Sequence, residues 1–293
     1  MTTATATDTE ETSTRLARSI AALPPLPVTA QQILTCFGDE FIDANKVAAV
    51  VDGDPGICAK LLGLANSAYF GLAEPANTIG DAISRVLGVD TVRSLVLAMA
   101  IQRSFNSRGC PAFNTERFWL QSLMTAECCE AIAAADSKAD AGVRDLAYSA
   151  GLCHNLGLMA LVHLETSRTH DVLQAHGKRD EPNSLVELFQ AEFKTDHKIM
   201  TAELAKFWSL PAALLAAYQY RAFPDTHCDE RLGIVLAASV AAVENTEAED
   251  GHVKSLNEWA ELLDMGADSL QKMAVLSERQ RERVQSLASN MTG

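Results

Sequence analysis

The sequence predicts an all-α protein, and three observations carry this prediction. Gly and Pro are scarce, with 16 and 9 among 293 residues, below the roughly 12% that they make up in average proteins. Apolar residues recur at spacings of three and four through most of the chain, and no segment shows the strict alternation of a strand. Hydrophobic residues make up 48% of the chain, which is enough for helices to pack on one another around a core. We therefore expect a compact fold of many helices.

The chain is expected to begin with a disordered tail and an extended segment. Residues 1–13 are rich in Thr, Ala and acidic side chains and lack periodicity. Residues 23–27 then read Leu-Pro-Pro-Leu-Pro, and three prolines in five residues exclude a helix. The two leucines predict that this extended segment packs on the body of the protein.

Capping residues predict where the next helices begin. Asp54 is a favourable N-cap and Pro55 suits the first helical position, so a helix is predicted from there to the Tyr-Phe-Gly motif at 69–71. A second helix is predicted over residues 78–88, and Asp90 is predicted to cap a third.

The remainder of the chain predicts longer helices. One is expected from Asn114 to Asp136 and another from Asp140 to Asn155. The last stretch, residues 255–290, fits two helices broken near Met265-Gly266, and residues 246–252 are the best candidate for a linker. Further helical patterns cover roughly 166–177, 183–193, 195–207, 211–221 and 229–245.

Charge and hydropathy argue against several classes of function. The net charge is −14 and no basic run is longer than Lys178-Arg179, so we expect neither nucleic-acid binding nor adsorption to an anionic membrane. The longest apolar stretch, Gly233 to Val243, is shorter than the roughly 20 residues that span a bilayer. No positive region followed by an apolar core marks a secretory signal. Seven cysteines without a C-x-x-C pair agree with a cytoplasmic protein.

Among the seven histidines, only His154 lies within a strongly apolar helical pattern, Gly151 to Gly157. A buried imidazole needs partners for its nitrogens, and three roles fit: metal ligand, acid/base group or hydrogen-bonded core residue, of which the spacing favours the last. Cys153 is not expected to form a nucleophilic pair with it, because neighbours on a helix point about 100° apart. His163 and His170 are expected at the surface near a helix end. No nucleophile elbow, Walker loop or dinucleotide-binding glycine motif occurs.

Several short motifs follow one another in the first third of the chain. They are the segment at 23–27, Asp54-Pro55, the run Leu-Leu-Gly-Leu-Ala-Asn-Ser-Ala-Tyr-Phe-Gly at 61–71, and Ala-Ile and Leu-Gly pairs at 82–83 and 87–88. Together they resemble the HDOD family (HD-related output domain), over roughly residues 16–224. The resemblance implies a bacterial, all-helical signalling module related to HD phosphohydrolases, in which the catalytic metal centre has generally been lost. The positions assigned to the family pattern are Pro24, Pro27, Asp54, Pro55, Asn66, Ser67, Gly88 and Trp119.

The resemblance also predicts the domain organisation. A tail at 1–13 precedes an HDOD domain at 14–245, in which an N-terminal helical part (14–110) is followed by an HD-like part (111–245). Residues 246–293 form a C-terminal helical extension.

The resemblance further implies where a metal centre would lie, and the residues there differ from those of hydrolases. HD hydrolases bind metal through a His from one helix, an adjacent His-Asp pair and further histidines downstream. Here the first position is Gln121, the pair reads His154-Asn155, and a later His-His pair aligns with Arg221-Ala222, while His197 is retained. Two imidazoles are fewer than the three or four protein ligands of zinc. The resemblance therefore implies no catalytic residue, no metal and no cofactor, with His154 and His197 as the only remaining candidate ligands.

Two interpretations of this degenerate site stay open. Gln121, His154, Asn155 and His197 would form a buried hydrogen-bond network that fixes the register of the helices. Alternatively, Arg221 would supply a cation that binds an anion such as a nucleotide phosphate.

Three hypotheses of function follow. The first is a non-catalytic signal-transduction output or adaptor module, like the output part of a response regulator, which contacts a kinase, a receiver or a diguanylate-signalling protein. The second is a residual or atypical metal-dependent HD phosphohydrolase, or a nucleotide-sensing module. The third is a helical adaptor that self-associates through apolar residues in 268–290. Because too few residues precede Leu23 for a receiver domain, we expect the input to come from a separate protein or a small-molecule ligand.

Overall fold

A computed structural model describes residues 20, 22–37, 43–67, 70–177, 185–224, 230–247 and 255–292. Every regular element within these residues is helical, as the sequence predicts. None of these helices is both long enough and apolar enough to cross a membrane. The predicted disordered tail at 1–13 lies outside the described residues, as does most of the predicted linker at 246–252.

The extended segment at 23–27 packs on the body, as predicted. Leu23 and Leu26 are buried, and the indole Nε1 of Trp208 donates a hydrogen bond to the carbonyl of Pro24 at 3.3 Å. The N-terminal helical part then comprises α1 (Val28–Leu34), α2 (Ala44–Asp52), α3 (Pro55–Ala65), α4 (Ile79–Ala82), a π-helical segment (Ile83–Leu87) and α5 (Val89–Gln102).

Helix α3 ends earlier than predicted, at Ala65 instead of near residue 71. The cause is Asn66, whose side-chain amide bonds both backbone groups of Ala76. Its Nδ2 donates to the Ala76 carbonyl at 2.9 Å, and its Oδ1 accepts from the Ala76 amide at 2.7 Å. This pairing draws the chain out of the helix. The start of the next helix is as predicted, because Thr78 and Asp81 form a reciprocal capping box.

The prediction that Asp90 caps α5 is wrong. Gly88 is the N-cap residue, with φ of +79°, a backbone conformation that glycine adopts without strain. Asp90 instead lies in the first turn and pairs with Arg93 at 3.0 Å. The buried Arg93 also donates to the carbonyls of Cys36 at 3.2 Å and Asp145 at 3.0 Å, so it joins the N-terminal part to the HD-like part.

The HD-like part is built around the helix capped by Asn114, whose predicted bounds are confirmed. This helix crosses the next one very closely, because a Cβ at Gly151 would lie 2.6 Å from the Cα of Ala126. The helix predicted from Asp140 to Asn155 ends at Cys153, and a separate helix starts at Leu156. The helices of this part are α6 (Thr115–Ala135), α7 (Ala141–Cys153), α8 (Leu156–Leu164), α9 (Thr166–His176), α10 (Leu185–Phe193), α11 (His197–Phe207), α12 (Ala212–Ala222) and α13 (Arg231–Glu247).

The C-terminal extension holds three described helices where two were predicted. The expected break near residue 265 is present, and Asp264 takes a left-handed conformation there. A second break follows Ala274, because Ser277 and Gln280 form a capping box that starts a new helix. The three helices are α14 (Asn257–Leu263), α15 (Ala267–Ala274) and α16 (Glu278–Thr292).

The apolar face of α16 is buried against α6 and α3 of the same chain. Ser289 Oγ donates to Glu116 of α6 at 3.0 Å, and Arg283 lies 3.6 Å from Glu127. Self-association through this face would therefore require α16 to leave the body. The buried residues of α16 are Val284, Leu287, Ala288 and Met291, and Leu270 and Leu276 of the extension are buried as well.

Candidate functional site

His154 lies at the break between α7 and α8, not inside a helix as the sequence pattern predicted. The side chain is buried, and its Nδ1 is 2.6 Å from the carbonyl oxygen of Gly151. Because a carbonyl only accepts hydrogen bonds, we assign the proton to Nδ1 and the lone pair to Nε2. A metal-ligating histidine has the same arrangement, so this one feature of a metal site is retained.

His154 and His197 are both held in the neutral form. Burial, followed by the positive charge of Arg221, lowers the pKa of His154 to about 3. The same two causes hold the pKa of His197 well below its usual value. Each imidazole is therefore an uncharged hydrogen-bonding group at neutral pH.

This charge state predicts how the protein responds to acid. We expect His154 to keep the neutral Nδ1–H tautomer at pH 5, as measured by the ¹⁵N chemical shifts of its ring. The unfolded chain takes up this proton near pH 6.5, so stability should fall as the pH drops from there towards about 3. A His154→Phe variant should show a shallower fall. An imidazolium signal from His154 at pH 5 would contradict this assignment.

His197 is the first residue of α11, and Asp196 caps this helix through its carboxylate. The Nδ1 of His197 is buried, and no protein group in the described chain bonds it. Its ring meets the edge of Phe189, with the centroids 5.9 Å apart. Its carbonyl accepts from Thr201 Oγ1 at 2.8 Å, and that hydroxyl in turn accepts from the Gly157 amide at 2.9 Å. This chain of bonds joins the start of α11 to the start of α8.

Asn155 follows His154 directly, where the resemblance to HD hydrolases leads us to expect a carboxylate. It is half-buried, and its Oδ1 has no hydrogen-bond partner among the described residues. Buried polar atoms of this kind normally bond to water or a ligand. The site therefore offers two such atoms, Asn155 Oδ1 and His197 Nδ1.

Arg221 reaches this site from the last turn of α12. Its Nη1 donates to the carbonyl of His154 at 3.1 Å, a group that the helix break leaves without a helical partner. Burial lowers the pKa of Arg221 to about 10, so the guanidinium remains charged at neutral pH. Arg221 is thus hydrogen-bonded to His154, and its charge acts on His197 as well. The structure in this way brings the three residues together.

Gln121 lies half-buried on α6, and its carbonyl accepts from Thr125 Oγ1 at 2.9 Å. Its participation in the network stays a prediction. Trp119, two residues earlier, is fully buried and packs edge-on against Phe118, with the centroids 5.0 Å apart.

Sequence reasoning missed Gly157 and Thr201. The signal for Gly157 was a glycine within a continuous apolar run, which marks a close approach between backbones. His163 and His170 are partly exposed, and His163 lies in the last turn of α8, near a helix end as predicted. Their Nδ1 atoms accept from the amides of Asn106 and Ala112 at 3.1 and 3.2 Å, so they hold the loop after α5.

The residues present do not fit a divalent metal ion. Two imidazoles and a neutral amide supply no negative charge, and the Arg221 guanidinium would repel a cation. In the part of the chain that the structure describes, no group of three His, Cys, Asp or Glu side chains is placed to hold a metal.

Comparisons with known proteins agree on the fold. The sequence profile of the HDOD domain matches residues 23–224. A crystal structure of a candidate signal transduction protein from Marinobacter aquaeolei VT8 superposes with a TM-score of 0.81 at 20% identity, covering 97% of this chain and 66% of that one. A candidate phosphohydrolase from Shewanella amazonensis SB2B gives 0.71 at 20% identity, covering 94% and 97%. An HDOD domain protein with unknown function from Geobacter sulfurreducens gives 0.65 at 21% identity, covering 97% and 96%.

A curated relative of greater length also matches. It is an uncharacterized protein of Treponema pallidum (strain Nichols), 24% identical over 212 residues, which are 71% of this chain and 40% of the relative. The chain therefore spans less than half the length of this relative.

Proposed function

The chain belongs to the HDOD domain family, and from this premise we propose that it is a non-catalytic signal-transduction module that acts through contacts with other proteins. The observation that carries the proposal is the placement of Arg221. Its guanidinium donates to the carbonyl of His154 at 3.1 Å, beside the pair that holds metal in the hydrolases that this family resembles. A fixed cation hydrogen-bonded to His154 would disfavour a metal cation beside it, which supports a non-catalytic role.

The chemistry of the neighbouring groups supports the same proposal. Metal-dependent hydrolysis needs a cation that lowers the pKa of a bound water, and a carboxylate normally helps to hold that cation. Asn155 supplies only an amide in its place. His154 is neutral and hydrogen-bonded to Gly151, which suits a structural role at the end of α7.

We expect the purified protein to contain substoichiometric Mn, Fe and Zn after incubation with each metal, as measured by elemental mass spectrometry. It should hydrolyse neither bis(4-nitrophenyl) phosphate nor cyclic dinucleotides above the blank. The control is a triple variant, Gln121→His, Asn155→Asp and Arg221→His, which returns three of the altered positions to the hydrolase pattern and should bind more metal than the wild type. The alternative, a residual phosphohydrolase, would be established by two results together. The wild type would contain stoichiometric metal, and it would hydrolyse one of these substrates with an activity that His154→Ala abolishes.

The proposed partners are cytoplasmic signalling proteins: a kinase, a receiver or a diguanylate-signalling protein. The net charge of −14 favours proteins over nucleic acids as partners. Cross-linking and affinity capture of the tagged full chain from its native cells should enrich such a protein over the same tag on an unrelated acidic protein. Recovery of nucleic acid in place of a signalling protein would argue against this proposal.

A nucleotide-sensing module is the second candidate, and the charged Arg221 with two unpaired polar atoms nearby favours it. This candidate predicts that a nucleotide raises the melting temperature of the wild type and not that of Arg221→Gln. A purely protein-binding module predicts no shift in either protein.

A further inference from the structure

A cavity of about 210 Å³, lined by none of the residues of the His154 site, lies where four helices meet. Gln102 and Arg103, at the end of α5, form one side, and Lys60 of α3 forms another. Met159 of α8 and Thr292 at the end of α16 complete the wall. We call this space the Lys60–Arg103 cavity.

The cavity carries positive charge that the surrounding residues do not fully balance. Lys60 Nζ has one hydrogen bond in the described chain, a long one of 3.4 Å to the carbonyl of Met291. Burial, and then the charge of Arg103, lowers the pKa of Lys60. No carboxylate in the described residues lines the cavity. Among the described residues, Arg103 is paired with Asp54, and Lys60 is the cation at the cavity that has no carboxylate partner.

Arg103 is 46% exposed and pairs with Asp54 through one end of its guanidinium, which leaves the other end without a protein partner in the described chain. Its Nη1 alone makes both bonds to Asp54, at 2.9 and 2.7 Å. That carboxylate also accepts from the Ile57 amide at 3.1 Å and from Thr29 Oγ1 at 2.9 Å, and it lies outside the cavity wall. Within the described chain, neither Nη2 nor Nε of Arg103 bonds an acceptor. Asp54, Arg103 and Lys60 together leave one net positive charge.

We infer that the Lys60–Arg103 cavity binds a phosphate group, either as inorganic phosphate or as part of a small phosphomonoester. A lysine point charge beside a partly free guanidinium suits phosphate oxygens. The Gln102 amide and the Ser107 hydroxyl on the wall add neutral donors. This inference is independent of the proposed signalling role and of the Arg221 site.

Gly56 offers a way to move the guanidinium without removing a charge. A Cβ at this position would lie 2.4 Å from Arg103 Nη2, so a methyl group must displace the flexible end of that side chain. Gly56 lies in the first turn of α3, where alanine is a better helix former than glycine. Gly56→Ala should therefore disturb the cavity and leave the fold stable.

The test is isothermal titration of the full chain with inorganic phosphate, at ionic strength matched with chloride, and a second titration with glycerol phosphate. We expect the wild type to bind, and Lys60→Gln to raise Kd by about tenfold or more. Gly56→Ala should also weaken binding while its melting temperature does not fall. Lys272→Gln, which removes an exposed lysine on α15, is the matched control and should bind as the wild type does. Binding of glycerol phosphate in addition to inorganic phosphate identifies a monoester site, and binding of phosphate alone identifies an inorganic-anion site.

Three results would overturn the inference. One is no heat of binding to the wild type at about 10 mM phosphate, which is about tenfold above a weak Kd of about 1 mM. Another is wild-type affinity in both Lys60→Gln and Gly56→Ala. The last is loss of binding in Arg221→Gln with retention in Lys60→Gln, which would place the phosphate at the Arg221 site. Gly56→Ala is expected to fold even if Lys60→Gln does not. The phosphate affinity of Gly56→Ala, compared with that of the wild type, therefore tests the inference in either case.

Discussion

Replacing Gly157 by alanine is expected to lower the free energy of unfolding by about 3 kcal/mol. A Cβ at this position would lie 2.1 Å from the carbonyl oxygen of His197 and 2.5 Å from the amide nitrogen of Thr201. Both atoms belong to the backbone of α11, so neither can move aside as a flexible side chain would. The substitution must separate α8 from α11 and break the bond from the Gly157 amide to Thr201 Oγ1.

The matched control is Gly63→Ala on α3. A Cβ there would meet only the side chain of Asn290, at an ordinary 3.9 Å, and alanine favours the helix by up to about 1 kcal/mol. Urea denaturation of the two variants should thus shift in opposite directions relative to the wild type. If Gly157→Ala were as stable as Gly63→Ala, the close contact between α8 and α11 would be refuted.

Replacing Asp136 by asparagine is expected to lower the free energy of unfolding by a similar amount, about 3 kcal/mol. The carboxylate follows α6 and is completely buried, while Arg231 of α13 is 18% exposed. Both oxygens accept from this guanidinium at 2.5 Å, and the same arginine donates to the carbonyl of Leu262 at 2.8 Å. Asparagine would leave a largely buried cation without its counter-charge and weaken the junction of α6, α13 and α14.

The same pair predicts a dependence on pH. Burial alone would raise the pKa of Asp136, but hydrogen bonds from Arg231 and from the Lys138 amide outweigh it and lower the pKa. Because the folded state holds this proton less tightly than the unfolded chain does, the stabilisation is complete above about pH 4 and is lost as the pH falls through the folded pKa. Unfolding of the wild type should therefore depend more steeply on acid below pH 4 than unfolding of Asp136→Asn.

Asp264→Asn is the control for both measurements, since Asp264 is exposed and asparagine tolerates its left-handed backbone. This variant should match the wild type within about 0.5 kcal/mol. Equal acid sensitivity of the wild type and Asp136→Asn would show that the buried pair does not contribute as described.

Local signals in the sequence were sufficient to predict where many of the helices begin and end. Asn114 and Asp140 each cap the helix that they predicted, because a cap is decided by a side chain and amides within three residues of it. The breaks that were missed depend on distant partners or on unusual backbone. Asn66 ends α3 by bonding Ala76, and Gly88 displaced Asp90 as the cap of α5 by adopting a positive φ.

The sequence by itself determined the all-α class, the family and the identity of the residues at the candidate site, because composition, periodicity and motifs are properties of the chain alone. Only the tertiary structure decided what surrounds those residues. The bond from Arg221 to His154 joins α12 to the break between α7 and α8, and the Lys60–Arg103 cavity gathers α3, α5, α8 and α16. Helices far apart in sequence meet through the packing of their apolar faces. The charge state of the histidines and the cationic cavity both depend on such contacts, so the spacing of residues along the chain does not predict either of them.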